Sequence, residues 1–209
     1  IIEILKKIFP EAAYDLQIQN RAWSWVIKSV ETGEIDAAIA ADHVNNPTFI
    51  FPTESVGVQV FGLFVKKDTA WRYDGKESLG KIKLGCMQDY SYNPVVDAHI
   101  TKKKGVYFMT GTDGLSRGIK MLMNSRHDVF IGEVKVFQMK LHELKIDPSD
   151  IELIHTFPPS SPLHIGFSPA NPEQSKKWAL VFSKGIAAMR KNGELQKILD
   201  RYKIKDWVE

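Results

Sequence analysis

This sequence has no means of closing a disulfide on itself. Cys86 is the single cysteine in 209 residues, so an intrachain bridge is excluded and cysteine usage is silent about the compartment. Cys86 stands in the strand-like run KIKLGCM and is expected to be a small buried apolar residue. No apolar run approaches the roughly 18 residues a membrane-spanning helix needs, and no signal peptide is visible. Charge of one sign is scarce as well. The formal net charge of +3 is too small at this length to argue for nucleic acid or a membrane surface. The run Lys102–Lys104 reads as a solvated helix end rather than a phosphate site. Also missing are a metal-ligand cluster, a phosphate-cradling glycine loop and a nucleophile elbow. His43, His155 and His164 are isolated in sequence, and each reads as structural.

What is present is a regular alternation of helical and strand-like spacing. Ile1–Phe9 places apolar residues at helical intervals and Pro10 ends the run. Tyr14–Asn20 alternates Leu16 and Ile18 with polar neighbours and predicts a strand. Trp23–Glu31 returns to helical spacing and Gly33 closes it; Ile35–Ala40 is a short apolar strand. Val56–Val65 predicts one buried strand or a pair. A helical turn and a strand follow in SLGKIKLGCMQD, then a helix opened by Ser91, Asn93 and Pro94. Further strands are predicted at Val106–Met109, Asp128–Ile131, Ile151–His155 and Leu163–Ser168. Helices are predicted at Thr112–Asn124, Val134–Leu144, Pro172–Met189 and Glu194–Tyr202. The alternation predicts an α/β protein with largely parallel sheets.

One unit occurs twice. IKSVETGEIDAAIAA (Ile27–Ala41) aligns with IKMLMNSRHDVFIGE (Ile119–Glu133), matching Ile27 with Ile119, Val30 with Leu122, Gly33 with Ser125, Asp36 with Asp128 and Ile39 with Ile131. Helix–turn–strand units look alike in any α/β protein, so the match is either coincidence or the mark of two similar lobes. In the second case each aspartate is structural, its carboxylate accepting backbone N–H groups at a strand entrance. Ligands are met at the other, carboxyl ends of such strands. Those ends are Ala40–His43 in one copy and Gly132–Glu133 in the other. Linker-like stretches at Phe64–Asp68 and Phe157–Pro162 divide the chain into residues 1–66 (lobe one), 67–160 (lobe two) and 161–209 (return to lobe one). Two crossings make a hinge, with a cleft between lobes as the place for a small ligand.

With these blocks in view, the sequence resembles the periplasmic (type II) solute-binding proteins of ABC transporters, of the family-3 group that binds polar amino acids and related molecules. The resemblance covers nearly the whole chain. It rests on WSWVIKSVETGEIDAAIAA, FPTESVGVQVFGLFVKKD, ESLGKIKLGCMQDYSYNP, GTDGLSRGIKMLMNSRHDVFIGE and KNGELQKILDRY. It implies the two-lobed type II fold with a hinge of two crossings, a periplasmic location, a membrane permease as partner, a monomer, and no cofactor, metal or catalytic residue. Family members begin with a strand and loop ahead of the helix at Ile1. The expectation is therefore that the N-terminal strand of lobe one is missing and that a signal sequence went with it.

The resemblance also places site residues. Trp23 falls where the family stacks an aromatic on the ligand, although a core aromatic is the competing reading. Ala40, Ala41, Asp42 and His43 fall where backbone and hydroxyl groups meet a ligand carboxylate. Relatives that bind α-amino acids carry a Ser/Thr-rich stretch there and then an Arg that clamps the carboxylate. Here Thr48 stands at the Arg position, and Trp25 replaces a common Arg or Lys. In lobe two, Asp89, Ser91 and Tyr92 match a loop leading into a helix N-terminus whose N–H groups can hold an anion. Asp89 stands where Gly is common. Glu133 matches an Asp that pairs with the ligand's ammonium. Arg117 is expected on a helix surface. The balance points to a small polar, amine-bearing solute. The alternatives are the ligand-sensing domain of a membrane receptor kinase, or an enzyme (dehydratase or lytic transglycosylase) on the same fold with Glu133 as general acid.

Overall fold

The computed structural model describes residues 1–159, 162–202 and 204–208. The chain divides into two compact units, one made of Ile1–Val58 with Ser161–Glu209 and the other of Gln59–Ser160. The first division lies ahead of the strand Phe61–Lys66 rather than at its far end, because that strand pairs only with strands of the second unit. At the second division, residues 160 and 161 of the linker Phe157–Pro162 lie outside the described residues.

Unit 1 holds helices α1 (Ile2–Ile8), α2 (Trp23–Thr32), α7 (Pro172–Lys191) and α8 (Glu194–Arg201) with strands β1 (Ala37–Ala41), β2 (Gly57–Val58) and β8 (Pro162–Phe167). The sheet order is β1-β8-β2, antiparallel throughout. Its main core joins Ile4, Leu5 and Ile8 of α1 to Phe182, Ile186 and Met189 of α7, to Leu195, Ile198 and Leu199 of α8, and to Ile165 and Phe167 of β8. Arg190 clamps this end of the unit: it bonds Asp206 through Nε (2.7 Å) and Glu54 through Nη1 (2.9 Å) and lies over the Trp207 ring.

Unit 2 holds β3 (Phe61–Lys66), α3 (Lys76–Leu79), β4 (Leu84–Met87), α4 (Pro94–Thr101), β5 (Val106–Met109), α5 (Gly114–Met123), β6 (Val129–Glu133), α6 (Val134–Glu143) and β7 (Ile151–Thr156). A 3-10 turn at Pro148–Asp150 precedes β7. The sheet order is β5-β4-β6-β3-β7. Side chains alternate across it with the period of two that a pleated strand dictates. Leu63, Val65, Cys86, Val129 and Ile131 face a core shared with Leu79 and Val96. Phe64 and Phe130 face the opposite core with Ile119, Leu122 and Phe137. Cys86 is fully buried, and burial, aided by Asp97, pushes its thiol up to about 12.

Two expectations are corrected. Tyr14–Asn20 is not a strand: Tyr14 and Leu16 pack on the unit 1 core while Ile18 is exposed, and no described strand pairs with the segment. Alternation sets two faces but supplies no ladder partner. The sheets are also not largely parallel, since four of the six strand pairings among the described residues are antiparallel. Only β4–β5 and β4–β6, joined through α4 and α5, form parallel pairs of the βαβ kind. The run Val56–Val65 resolves into the pair β2 and β3.

The repeated unit is real in backbone geometry. Gly33 (φ 78°) and Ser125 (φ 53°) both close their helices in the left-handed region. The next N–H in each copy reaches back to the same turn, Glu34 N to Ser29 O (2.9 Å) and Arg126 N to Met121 O (2.9 Å). The two aspartates diverge. Asp128 Oδ2 accepts from Lys83 N (2.8 Å), whereas Asp36 is held through its carbonyl, which accepts from Ser168 N (2.8 Å). A side chain at φ 53° is strained where glycine is not, so Ser125→Gly is expected to stabilise unit 2 by about 0.5–1 kcal/mol in urea unfolding. Gly33→Ala should destabilise, because a Cβ there would lie 2.7 Å from Ala170 Cβ.

Candidate functional site

In unit 1 the carboxyl end of β1 is shaped by a bulge. The register with β8 slips between Ile39 and Ala41, and Ala40 takes φ 70°. Ala41 is fully buried and faces His164 across the ladder. Asp42 then winds the loop. Its Oδ1 accepts from Val44 N and Asn45 N (2.9 Å each), its Oδ2 accepts from Asn45 Nδ2 (2.8 Å), and its carbonyl accepts from Asn46 N (3.1 Å). The exposed His43 ring lies 4.0 Å from Phe51 and 4.8 Å, edge-on, from His164. Trp23, the first residue of α2, is half-buried against the cluster of Val30, Ala38, Ala41 and Phe49. Ala41 and Trp23 thus share one small core, and His43 meets its edge through Phe51. Thr48 is exposed, as is Trp25, over whose ring Arg21 lies at 5.8 Å.

In unit 2, β4 and β6 are adjacent and parallel, so their carboxyl ends open on one side. Asp89, just past β4, is exposed and takes φ 61°, which explains why glycine suits the position and aspartate tolerates it. Tyr92 is not at the surface. It is buried in the core, edge-on to Phe61 at 4.7 Å, and its hydroxyl accepts from Met87 N (2.8 Å). Phe61 is the ladder partner of Glu133, which links the two loops. Glu133 is half-buried and caps α6: Oε2 accepts from Val136 N (2.6 Å), and Oε1 has no hydrogen bond among the described residues.

The start of α4 does not offer an anion site. Asn93 Oδ1 takes the N–H groups of Val95 and Val96 (3.0 Å each). Asp97 reaches back to Tyr92 N and Ser91 Oγ (3.0 Å each). The helix satisfies its own first turn with side chains and adds a carboxylate there. Arg117 does not offset this charge; its guanidinium bonds Asp113 and the Thr110 carbonyl on the exposed face of α5.

Residues beyond those selected from sequence share these loops. His164 and Phe51 complete the ring cluster on His43, and only the register of β8 shows it. Tyr90 projects from the β4–α4 loop with 40% of its surface exposed. The one signal for it was its place between Asp89 and Ser91.

Burial holds the His164 pKa below its usual value; His43 adds to this, while the Pro162 carbonyl, Asp42 and Glu54 oppose it. Burial lowers His127 likewise, its Nε2 lying 3.0 Å from Gly118 O. Both folded rings thus take up a proton less readily than the unfolded chain, which protonates first as pH falls below about 6.5. Stability is therefore present above that pH and is lost as pH falls toward the lowered folded values. Urea midpoints at pH 7, 6 and 5 should fall in that order, and His164→Leu should flatten the slope.

No curated protein matches this sequence. Solved structures do match its fold. An ancestral arginine-binding protein bound to glutamine aligns with TM-score 0.75 at 16% identity, over 99% of this chain and 86% of that one. A histidine kinase sensor domain with similarity to periplasmic binding proteins aligns with TM-score 0.73 at 15% identity, over 99% and 84%. The amino acid ABC transporter substrate-binding protein AbpA of Streptococcus pneumoniae, bound to L-arginine, aligns with TM-score 0.71 at 19% identity, over 96% and 81%. At such identities the likeness is one of fold, and the type II binding-protein architecture read from the sequence is the one these structures share. The family itself is matched over residues 1–205, and the chain belongs to the bacterial extracellular solute-binding proteins, family 3.

Proposed function

We propose that the chain captures a small polar, amine-bearing solute outside the cytoplasm and delivers it to the membrane permease of an ABC transporter, acting as a monomer in the periplasm and without catalysis. The observation that carries this reading is the charge at the strand ends. Asp42 follows β1, Asp89 follows β4 and Glu133 ends β6, while the N–H groups at the start of α4 are taken by Asn93. No guanidinium stands at the clamp position, where Thr48 is found. A half-buried carboxylate with a free oxygen favours a cationic partner. On this reading Glu133 Oε1 receives the ammonium, Trp23 and His43 supply ring surfaces, Asp42, Asp89 and Ser91 supply polar contacts, and Ala40 and Ala41 offer backbone. Tyr92 then acts from the core, holding the β4 loop through Met87.

A thermal-shift screen against amino acids, polyamines, opines and small peptides, with dicarboxylic acids and sugars as solutes that carry no amine, tests this. A ligand present at 100 times its Kd adds about 2.7 kcal/mol, a rise of about 5–10 °C for a chain of this size. Shifts confined to solutes without an amine would overturn the reading, and turnover of the hit would favour the enzyme. The sensor reading draws on the likeness in fold to a kinase sensor domain; a hit that leaves transporter uptake unchanged in a deletion strain would favour it.

A further inference from the structure

The three parallel strands of unit 2 are polarised. Their carboxyl ends carry the carboxylates described above; their amino ends carry cations. Lys81 and Lys83 precede β4, Lys102, Lys103 and Lys104 precede β5, and Arg126 precedes β6, all six exposed. Backbone bonds hold these approaches together. Leu84 N donates to Gly105 O (2.8 Å), Asp128 N donates to Lys83 O (2.9 Å), and Lys83 N donates to Asp128 Oδ2 (2.8 Å). Many of the other cations are paired: Lys7 with Glu194, Arg72 with Glu152, Arg117 with Asp113, Lys140 with Glu143, Arg190 with Glu54 and Asp206. The six at the strand starts make no ion pair among the described residues.

Beside them runs an open sheet edge. Among the described residues β5 pairs with β4 alone. Gly105 O and Met109 O accept from Leu84 N and Gln88 N (2.8 and 2.9 Å). By the alternation of a strand, Val106 and Phe108 turn their N–H and C=O outward. Tyr107 and Phe108 expose 36% and 37% of their surfaces. The strand VYFM contains none of the lysine, proline or bulge that blocks edge pairing. Its lysines stand just before it, where they attract rather than obstruct.

We propose that this edge docks an extended, acidic segment of a partner protein, which adds to β5 as a sixth strand and lays its carboxylates along Lys102–Lys104, Lys81 and Lys83. Strand addition takes affinity from main-chain bonds and selectivity from flanking side chains. An anionic membrane would meet the same charges but leave the outward N–H and C=O of β5 unpaired away from water, at a cost.

The probe is a fluorescent peptide alternating Glu with Val and Thr, read by anisotropy with the whole chain. Expected is saturable binding that weakens with salt and falls about tenfold or more in the Lys102→Glu/Lys104→Glu variant. Phe108→Pro removes an outward N–H that β4 does not use, and should abolish binding. The same peptide N-methylated at alternate backbone nitrogens keeps its charge but cannot pair. It tests the edge without altering the protein, whether or not Phe108→Pro folds. Equal affinity for the methylated peptide would overturn strand addition. Binding to phosphatidylglycerol vesicles with no binding of the peptide would overturn the proposal in favour of a lipid surface.

Discussion

Glu133→Gln is expected to abolish capture of an amine-bearing solute while leaving the fold in place. Oε2 of Glu133 caps α6 on Val136 N, and Oε1 has no hydrogen bond among the described residues. Gln keeps an acceptor for the cap and removes the charge. Losing one partner of a buried charged pair costs about 2–5 kcal/mol of binding, a weakening of at least ~30-fold. Glu133→Ala removes the cap as well, so it should also cost about 1 kcal/mol of stability, a fall of about 2–4 °C in Tm. Titration calorimetry on the hit from the ligand screen, with melting curves on both variants, separates the two roles. Unchanged affinity in Glu133→Gln would remove Glu133 from the site.

Phe130→Ala should give the largest loss of stability, about 3–5 kcal/mol in urea unfolding. Phe130 is fully buried on β6, and glycines make room for its ring. A Cβ on Gly118 of α5 would fall 2.3 Å from Phe130 Cε2, and one on Gly85 of β4 would fall 2.8 Å from Cδ2. Gly118→Ala alone overpacks the site and should cost about 1–3 kcal/mol. In the Phe130→Ala background the same change fills vacated space and recovers up to about 1 kcal/mol of helix propensity. The sign of Gly118→Ala should therefore reverse between backgrounds, as a double-mutant cycle would show. Additive effects would mean that the ring does not depend on that glycine.

Local signals were legible in the sequence wherever a residue acts on its own neighbours. Asn93 and Pro94 open α4 where their capping chemistry places it, and Gly33 and Ser125 close matching helices. Pairing direction was not legible, because β8 arrives from far along the chain and runs against both β1 and β2. The same distance hid His164, which meets Ala41 only through that register. Tyr92 shows the limit for the site: its place after β4 follows from the motif, but the burial of its ring does not, since Met87 N and Phe61 decide it. The N–H groups at the start of α4 are not open to an anion because Asn93 takes them, while Asp97 spends its oxygens on the loop that leads into the helix.

The order of the chain also dictates an order of assembly. Every strand of unit 2 lies within one uninterrupted stretch, so during synthesis its partners are all present once β7 has emerged. Unit 1 has no such freedom. Its central strand β8, and the helices α7 and α8 that complete its core, come last. Until then α1, α2 and β1 wait with their apolar faces uncovered, bridged by the long loop that is unit 2. The closure entropy of that loop is smaller once unit 2 has collapsed. Unit 2 should thus acquire protection from hydrogen exchange first on refolding, and the opening helix of the chain should be among the last segments to do so.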